Sequence, residues 1–314
     1  YFNGDYRLDV FGTLFASGTE QNTILFGRYF NVDKWKSINF YEGSNDSSKL
    51  EYCIITSGSS SDFNDAVINV QAVSPAIRYC NISGNQDTGV SLNENSLSPI
   101  IGNTINNNGY VGLNISNSGS VIDSNSVINN DAGNIAIMNE GTSYVSNIEN
   151  NIIGGNSFAL NINGNPMVTI NNNTITSDAV SDAISLTNSD NSIISNNHID
   201  VGRYGIKVLS DGISINNNTL DGYNYGSTDN YGISVGYGSS ADYLNIDISN
   251  NQISSYTYGI YLDGNDYSNP TIHSNLIESC GNGIFFASGN TTDSLSIIGN
   301  RIDGSVWAGV RLWN

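Results

Sequence analysis

The sequence predicts an all-β fold, a right-handed single-stranded parallel β-helix in which short strands wind into coils that stack along one axis. Three observations predict it. A unit of fixed pattern recurs from near Leu50 to the end of the chain. Its apolar runs are short, β-branched and alternating, which is typical of strands rather than helices. Asn, Gly and Ser, the residues of turns, separate those runs.

Each recurring unit has two halves. The first half reads Ile, two variable residues, Asn, one variable residue, and then Ile or Leu. The second half reads Gly or Ala, an apolar residue, a variable residue and another apolar residue, as in Gly205 to Val208. The Asn position recurs every 21 to 33 residues and holds Cys53, Cys80, Asn103, Asn125, Asn151, Asn173, Asn197, Asn218, Asn251, Asn275 and Asn300.

Other repeat architectures do not fit this pattern. A helical-hairpin repeat has about 33–34 residues and two amphipathic faces, and a leucine-rich repeat shows Leu-x-x-Leu-x-Leu. The observed spacing suits a coil of two or three short strands, stacked about 4.8 Å from the next coil. The sequence therefore predicts a solenoid of about 11–12 coils.

The recurring Asn has a structural explanation. A buried amide without partners costs about 1–3 kcal/mol, so an interior Asn must bond to something. Asn side chains in one row can bond from coil to coil, which predicts an internal Asn ladder. Asn also tolerates the bent backbone between two strands. Cys53 and Cys80 occupy the first two positions of the row, where we expect two buried free thiols.

We predict one domain, residues 1–314, with differences at its two ends. Residues 1–45 are expected to form less regular first coils, in which Trp35 and Phe40 cover the open end of the core. The last residues end on a strand without a polar cap, and solenoids need caps on their terminal coils. This predicts a longer parent chain or end-to-end stacking with another chain. The β-like runs in residues 1–45 are Tyr6–Phe11, Thr23–Phe26 and Ser37–Phe40.

Composition restricts the partners. Ten basic residues against 29 acidic ones give a net charge of −19, which argues against nucleic acid and anionic membrane surfaces. No apolar run approaches the ~18–20 residues of a membrane helix, so we expect no membrane insertion. We expect an extracellular or cell-surface location.

A row of aromatic residues is the first candidate site. Tyr204, Tyr231, Tyr258 and Trp307 each lie one or two residues before the Gly or Ala of a strand. Tyr261 lies among the outward residues of the second half. Stacked by the repeat, these rings form a stripe that either covers coil corners or serves as a platform for sugar rings. We predict carbohydrate binding at these five residues.

Charged residues form the second candidate site. Asp200 and Asp221 each lie three residues after a ladder Asn in adjacent coils, where they repel unless neutralised. Calcium could neutralise them, as could Arg203 or Lys207, although solvated carboxylates need no partner. Next to the long insertion of residues 221–231, Arg203 and Lys207 could hold an anionic sugar or supply a base. Plain charge balance is the alternative.

The Ile-x-x-Asn-x-Ile and Gly-Ile-x-Val units resemble those of the parallel β-helix repeat superfamily. That group is similar to pectate lyases, polygalacturonases, alginate-modifying enzymes, phage tailspikes and bacterial and archaeal surface proteins. The resemblance covers about residues 20–314 and implies the fold. The adjacent Asp pair, Gly-His-Gly and Arg-Ile-Lys of polygalacturonases and the Asp-Pro-His of alginate epimerases do not occur in this chain.

These observations leave three functions open. The leading expectation is a secreted or cell-surface protein that binds polysaccharide or mediates surface contact without catalysis. The alternative is a polysaccharide lyase or glycoside hydrolase acting on an acidic polysaccharide. Its candidate catalytic residues are Lys207, Arg203, Asp200 and Asp221. A third possibility is a structural protein that assembles end to end.

Overall fold

The computed structural model describes residues 1–29, 34–59, 66–139, 144–155, 158–177, 182–223, 230–239, 242–264, 266–287 and 295–313. The regular elements in these ranges are β-strands. The described residues contain no helix that is long and apolar enough to cross a membrane. The chain divides into two compact units, residues 1–157 and 158–314. That the two units make one continuous domain stays a prediction.

The first unit contains strands β1 to β18. They form three parallel sheets: sheet A1 (β1, β4, β7, β10, β13, β16), sheet B1 (β2, β5, β8, β11, β14, β17) and sheet C1 (β3, β6, β9, β12, β15, β18). In chain order the strands are Leu8–Val10, Phe15–Ser17, Ile24–Phe26, Ile38–Phe40, Lys49–Glu51, Cys53–Thr56, Ala66–Gln71, Ala76–Arg78, Asn81–Ser83, Thr88–Asn93, Ile100–Ile101, Thr104–Asn106, Val111–Ser116, Val121–Asp123, Ser126–Ile128, Gly133–Met138, Asn147–Glu149 and Ile152–Gly155.

The second unit contains strands β19 to β39. Its parallel sheets are A2 (β19, β22, β25, β28, β32, β36, β39), B2 (β20, β23, β26, β30, β34, β37) and C2 (β21, β24, β27, β31, β35, β38), and β29 pairs with β33 in a small separate sheet. In chain order the strands are Leu160–Asn163, Thr169–Asn171, Thr174–Ser177, Asp182–Thr187, Ile193–Ser195, His198–Val201, Tyr204–Leu209, Ser214–Asn216, Thr219–Gly222, Tyr231–Val235, Asp242–Leu244, Asp247–Ser249, Gln252–Ser254, Tyr258–Leu262, Asp266–Ser268, Thr271–His273, Leu276–Glu278, Asn282–Phe286, Ser296–Ile298, Arg301–Asp303 and Ala308–Leu312.

Within each unit, equivalent residues of successive coils lie one above another. In sheet A2, Ile206 is in register with Ile184 on one side and Ile233 on the other, and all three are fully buried. Each buried aliphatic side chain contributes roughly 1.5–3 kcal/mol, so these columns form the core of the coils. The predicted right-handed parallel β-helix is confirmed.

The irregular start of the chain also contains strands. The three predicted β-like runs contain β1, β3 and β4. The sequence did not predict β2, because its alternating pattern is weak: only Ala16 is buried between Phe15 and Ser17. Trp35 is fully buried, and its indole Nε1 donates a hydrogen bond of 2.8 Å to the carbonyl of Thr56.

Each unit has an Asn ladder, which lies between sheets B1 and C1 in the first unit and between sheets B2 and C2 in the second. The Asn103 Nδ2 atom lies 3.0 Å from Asn125 Oδ1, and Asn125 Nδ2 lies 3.0 Å from Asn151 Oδ1. Each amide also donates to a backbone carbonyl of the coil before it, as Asn125 does to Ile100 at 2.8 Å. The second unit has the same pattern, with Nδ2 to Oδ1 distances of 2.9–3.0 Å along Asn173, Asn197, Asn218, Asn251, Asn275 and Asn300.

The bend beside the ladder falls on a different residue from the one expected. The ladder Asn does not itself take the left-handed conformation. The residue before it does, for example Ser124 and Asn150, both at φ 57°. Asn tolerates this region better than most residues, which accounts for Asn-Asn pairs such as Asn196-Asn197. The ladder Asn is therefore selected for its buried amide, and its predecessor for the turn.

The two cysteines replace the ladder amide as donors. Cys53 and Cys80 are buried free thiols, as predicted. The Cys80 Sγ atom lies 3.4 Å from the carbonyl of Leu50, where a ladder Asn places its Nδ2 atom. The backbone N–H of Cys80 donates to Asn103 Oδ1 at 2.9 Å. A thiol can thus occupy the first two positions of the ladder and leaves no buried amide unpaired there.

A second Asn row, which the sequence reading missed, lies at the corner between sheets C1 and A1. Asn85 Nδ2 lies 2.8 Å from Asn108 Oδ1, and Asn108 Nδ2 lies 2.9 Å from Asn130 Oδ1. Five residues separate each member from the ladder position before it, a spacing that is visible in the sequence. In the described residues of the second unit no Asn occupies this position: the same spacing leads to Gly202, Tyr223, Tyr256, Cys280 and Ser305.

Tyr256 points into the core of the second unit. A Cβ atom on Gly222 would lie 2.8 Å from Tyr256 Cδ1, and one on Gly205 would lie 3.1 Å from its hydroxyl oxygen. The ring therefore occupies space that side chains at these glycines would need. In β39, by contrast, Val310 and Leu312 belong to core columns but are exposed. That further chain or a second copy covers them stays a prediction.

Candidate functional site

The outer surface of sheet A2 carries two columns of side chains. The first column holds Asp182, Tyr204, Tyr231, Tyr258, Asn282 and Ala308, and the second holds Ser185, Lys207, Ser234, Tyr261, Phe285 and Arg311. Because the strands are parallel and in register, residues at equivalent positions of successive coils lie directly above one another.

The glycine after each tyrosine explains why the ring faces outward. A Cβ atom on Gly205 would point into the core, 2.7 Å from Leu220 Cδ2 and 2.6 Å from the carbonyl oxygen of Gly232. Glycine is thus required at the inward position. Tyr204 and Lys207 share the outer surface, with Lys207 Nζ 5.4 Å from the centre of the Tyr204 ring.

The rings form a continuous aromatic cluster. Tyr204 stacks on Tyr231 with ring centres 4.8 Å apart and planes 6° apart, and Tyr231 stacks on Tyr258 at 5.1 Å and 9°. Tyr261 meets Tyr231 edge-on at 4.9 Å and stacks on Phe285 at 5.5 Å. We call these five residues the tyrosine cluster. Both geometries are favourable for aromatic pairs.

Tyr237, from the segment after β28, covers the tyrosine cluster. Its ring centre lies 5.8 Å from that of Tyr204, 5.3 Å from Tyr231 and 5.7 Å from Tyr261. Exposure falls to 2% for Tyr204, 3% for Tyr231 and 9% for Tyr261, whereas Tyr237 itself is 37% exposed. The aromatic surface that solvent reaches therefore belongs mainly to Tyr237 and to the partly buried Tyr258.

Charged side chains lie at both ends of the cluster. Arg203 Cζ is 5.1 Å from the centre of the Tyr204 ring, and Arg203 Nη1 is 3.9 Å from Asp182 Oδ1. Burial raises the pKa of Asp182, against the opposite effect of Arg203 and Lys207. Burial likewise raises the pKa of the Tyr204 phenol. At the other end, Arg311 Cζ lies 5.5 Å from the centre of the Phe285 ring.

Comparison with known proteins assigns the family. A family model described as a right handed beta helix region matches residues 100–253 and 158–314. The chain belongs to this right-handed β-helix family. No curated protein matches the sequence of this β-helix protein.

Solved structures similar to this β-helix protein include both enzymes and an adhesin. One is a mannuronic acid specific polysaccharide family 6 lyase from human gut microbiota, with TM-score 0.53 and 13% identity, covering 94% of this chain and 75% of that chain. Another is PfbA, a surface adhesin of Streptococcus pneumoniae, with TM-score 0.54 and 12% identity, covering 93% and 84%. A third is a GH87 alpha-1,3-glucanase from Streptomyces thermodiastaticus strain HF3-3, with TM-score 0.52 and 12% identity, covering 99% and 64%. Such identities establish the fold alone.

The β-helix brings four of the five predicted aromatic residues together. Tyr204, Tyr231, Tyr258 and Tyr261 all belong to the tyrosine cluster. Trp307 lies outside it, because Ala308 is the residue in register with Asn282 at the end of that column. Trp307 is 62% exposed and would contact a Cβ atom placed on Gly281.

The predicted acidic residues lie on another sheet. Asp200 and Asp221 are in register on sheet C2, and the Ser254 hydroxyl donates to Asp221 at 2.9 Å. The carboxylate that faces Arg203 and Lys207 is instead Asp182, on sheet A2. Residues 224–229 of the long insertion after Asp221 lie outside the described residues.

Two carboxylates are a poor fit to calcium. The ion takes six to eight oxygen ligands, and in the described ranges no three His, Cys, Asp or Glu side chains group so as to hold a metal. We therefore derive no role for calcium at Asp200 and Asp221.

Sequence reasoning missed two members of this site, Asp182 and Tyr237. Asp182 lies two residues before Ile184, the position that Tyr204 holds before Ile206. Its place in the column was therefore readable from the repeat. Tyr237 lies outside the regular unit, in the segment between β28 and β29, and the repeat gives no signal for its position.

Proposed function

We propose that this β-helix protein is an extracellular or cell-surface protein that binds polysaccharide through the outer surface of sheet A2, without catalysis. The single observation that carries the proposal is the tyrosine cluster with the partly open rings of Tyr237 and Tyr258. Aromatic rings pack against the C–H faces of sugars while their hydroxyl groups remain available for hydrogen bonds. The similarity in fold to a surface adhesin and to polysaccharide-acting enzymes supports the same choice.

Burial of the inner rings gives them a supporting role. Tyr204 and Tyr231 have almost no exposed surface, so they hold the outer rings in place rather than contact a sugar. A rigid aromatic surface loses little side-chain entropy when a ligand binds. The contact rings are accordingly Tyr237 and Tyr258.

Affinity gels and glycan arrays with neutral and acidic polysaccharides test this proposal. We expect Tyr258→Ala and Tyr237→Ala each to weaken binding about tenfold, a loss of ~1.4 kcal/mol, as for an aromatic residue at the centre of an interface. Tyr110→Ala is the matched control, because Tyr110 is an exposed tyrosine of the first unit. Absence of binding to every polysaccharide would refute the proposal.

A second candidate function is a polysaccharide lyase or hydrolase. The observation that favours it is Asp182, which faces Arg203 and Lys207 and whose pKa burial raises in spite of these cations. In β-elimination a cation neutralises the carboxylate of the sugar, and a base removes the proton from the adjacent carbon. The C–O bond to the glycosidic oxygen on the next carbon then breaks, a C=C bond forms, and the leaving oxygen takes up a proton from water. Asp182 would be that base in place of Asp200 or Asp221.

Incubation with uronate polymers tests this second candidate. A lyase releases unsaturated products that absorb in the ultraviolet, and the absorbance should stop rising in Lys207→Ala and Asp182→Asn. No product from any polymer in a broad panel, despite measurable binding, would leave the non-catalytic function.

A further inference from the structure

Positive charge in the second unit is concentrated at the tyrosine cluster. Residues 158–314 contain 14 Asp and Glu but only four Lys and Arg. Three of the four lie on the outer surface of sheet A2: Arg203 and Lys207 at Tyr204, and Arg311 at Phe285. The fourth is Arg301, on sheet C2. The outer surface of sheet A2 therefore carries more positive charge than the rest of this acidic unit.

Neighbouring carboxylates do not fully pair with the two cations at Tyr204, Arg203 and Lys207. The 3.9 Å separation of Arg203 Nη1 and Asp182 Oδ1 is too long for a hydrogen bond, and the Arg203 side chain is 54% exposed. Asp182 Oδ1 has no hydrogen-bond partner among the described residues. Lys207 forms no salt bridge within the described parts of the chain, so the long Arg203–Asp182 pair is the one ion pair of the two cations there. Two cations therefore face one carboxylate.

Arg301, in the same unit, is an arginine that is fully paired with a carboxylate. Its Nε and Nη2 atoms donate to Asp303 Oδ2 at 2.9 and 2.6 Å. Such a charge-assisted pair leaves little capacity for another anion. Arg203 keeps its guanidinium group open to an incoming oxyanion.

We propose that Arg203 and Lys207 form an anion subsite, so that the polysaccharide bound at the tyrosine cluster carries carboxylate or sulfate groups, and that Asp182 weakens this subsite. The inference rests on the proposed polysaccharide binding and adds the chemical class of the ligand. An oxyanion at the subsite lies against both cations, beside the edge of the Tyr204 stack. Asp182 repels it, because a carboxylate faces the same two cations.

The net charge of −19 does not prevent such binding. At physiological ionic strength the screening length is about 8 Å, so distant carboxylates contribute little to the energy of an anion at the subsite. The nearby charges, which among the described residues are those of Arg203, Lys207 and Asp182, decide the sign of the local potential.

The test compares dextran, dextran sulfate and polygalacturonate as probes at 0.15 M salt, by affinity gel electrophoresis and calorimetry. Dextran and dextran sulfate share a backbone, so their difference isolates the charge. Dextran sulfate against polygalacturonate distinguishes sulfate from carboxylate as the preferred group. We expect the purified chain to bind at least one anionic probe about tenfold more tightly than dextran.

Four variants test the subsite, and their expected effects on binding of the anionic probe differ in direction. Arg203→Gln and Lys207→Gln should each weaken binding of the anionic probe about five- to tenfold, whereas Asp182→Asn should strengthen it severalfold. Arg301→Gln should leave it unchanged. The gain in Asp182→Asn cannot arise from misfolding, so the proposal remains falsifiable if a cation variant folds poorly.

The outcomes separate this inference from the function on which it rests. Equal binding of dextran and dextran sulfate, lost in Tyr258→Ala but insensitive to the charge variants, would overturn the anion subsite and retain polysaccharide binding. Equal weakening by Arg203→Gln and Arg301→Gln would also overturn it, since charge alone would then act without a site. No binding of any probe would overturn both.

Discussion

Asn218→Ala is the sharpest test of how this β-helix is held together. Asn218 lies in the middle of the ladder of the second unit and is 1% exposed. Its Oδ1 atom accepts from the Asn197 backbone N–H and from Asn197 Nδ2, both at 2.9 Å. Its Nδ2 atom donates to Asn251 Oδ1 at 3.0 Å and to the Ile194 carbonyl at 2.9 Å.

The magnitude follows from the groups that lose a partner. Alanine removes one bond each from four buried groups, the Asn197 N–H, Asn197 Nδ2, Asn251 Oδ1 and the Ile194 carbonyl, and one from the half-buried Asn216 carbonyl. A buried polar group without its partner costs about 1–3 kcal/mol, and the low end applies because several of these groups keep another bond. Four groups at about 1 kcal/mol each predict a loss of about 4 kcal/mol in the free energy of unfolding.

Guanidinium unfolding followed by circular dichroism measures this loss. Asn161→Ala is the control, because Asn161 is exposed on β19 of the same unit. Asn218→Cys should lower the free energy of unfolding less than Asn218→Ala does, because a thiol can donate to the Ile194 carbonyl as Cys80 donates to the Leu50 carbonyl. A loss in Asn218→Ala within about 0.5 kcal/mol of that in Asn161→Ala would refute the ladder as a source of stability.

Three further predictions follow from buried groups. Tyr256→Phe should raise the free energy of unfolding by about 1 kcal/mol, because the buried hydroxyl has no partner among the described residues; a loss of stability on denaturation would contradict this. Cys80→Asn should stabilise by about 1 kcal/mol, since an amide there can donate to Asn103 Oδ1, and an unchanged unfolding midpoint would count against it. The raised pKa of Asp182 means that its contribution to stability is complete below about pH 3.9, the unfolded-state pKa, and is lost as pH rises through the folded-state pKa. Thermal unfolding between pH 3 and 8 should therefore show a smaller loss of stability in Asp182→Asn than in the parent, and parallel curves would reject the assignment.

The candidate site divides into a part that the repeat predicts and a part that it does not. The column of Tyr204, Tyr231 and Tyr258 was readable, because each precedes the Gly of its strand and parallel strands keep equivalent residues in register. The sequence did not predict that Tyr237 lies over this column, because residue 237 belongs to a segment of irregular length. An expected open stripe is consequently a mostly buried cluster.

The charged residues illustrate the same limit. Arg203 and Lys207 are close in sequence to Asp200, yet their side chains face Asp182, which is about one coil earlier in the chain. Neighbours along a coil can lie on different sheets, whereas residues one coil apart in the same column are adjacent in space. Proximity in sequence therefore pointed to carboxylates on sheet C2, whereas the carboxylate that faces Arg203 lies on sheet A2.

The sequence by itself determined the solenoid, the strand columns and the interior Asn row, because these depend on one period that every coil repeats at the same spacing. Only the tertiary structure decided which rings are covered, which carboxylate meets Arg203, and that Tyr256 fills space left by glycines. Those outcomes depend on how side chains from different sheets and irregular segments share limited volume, and no local pattern in the chain encodes that competition.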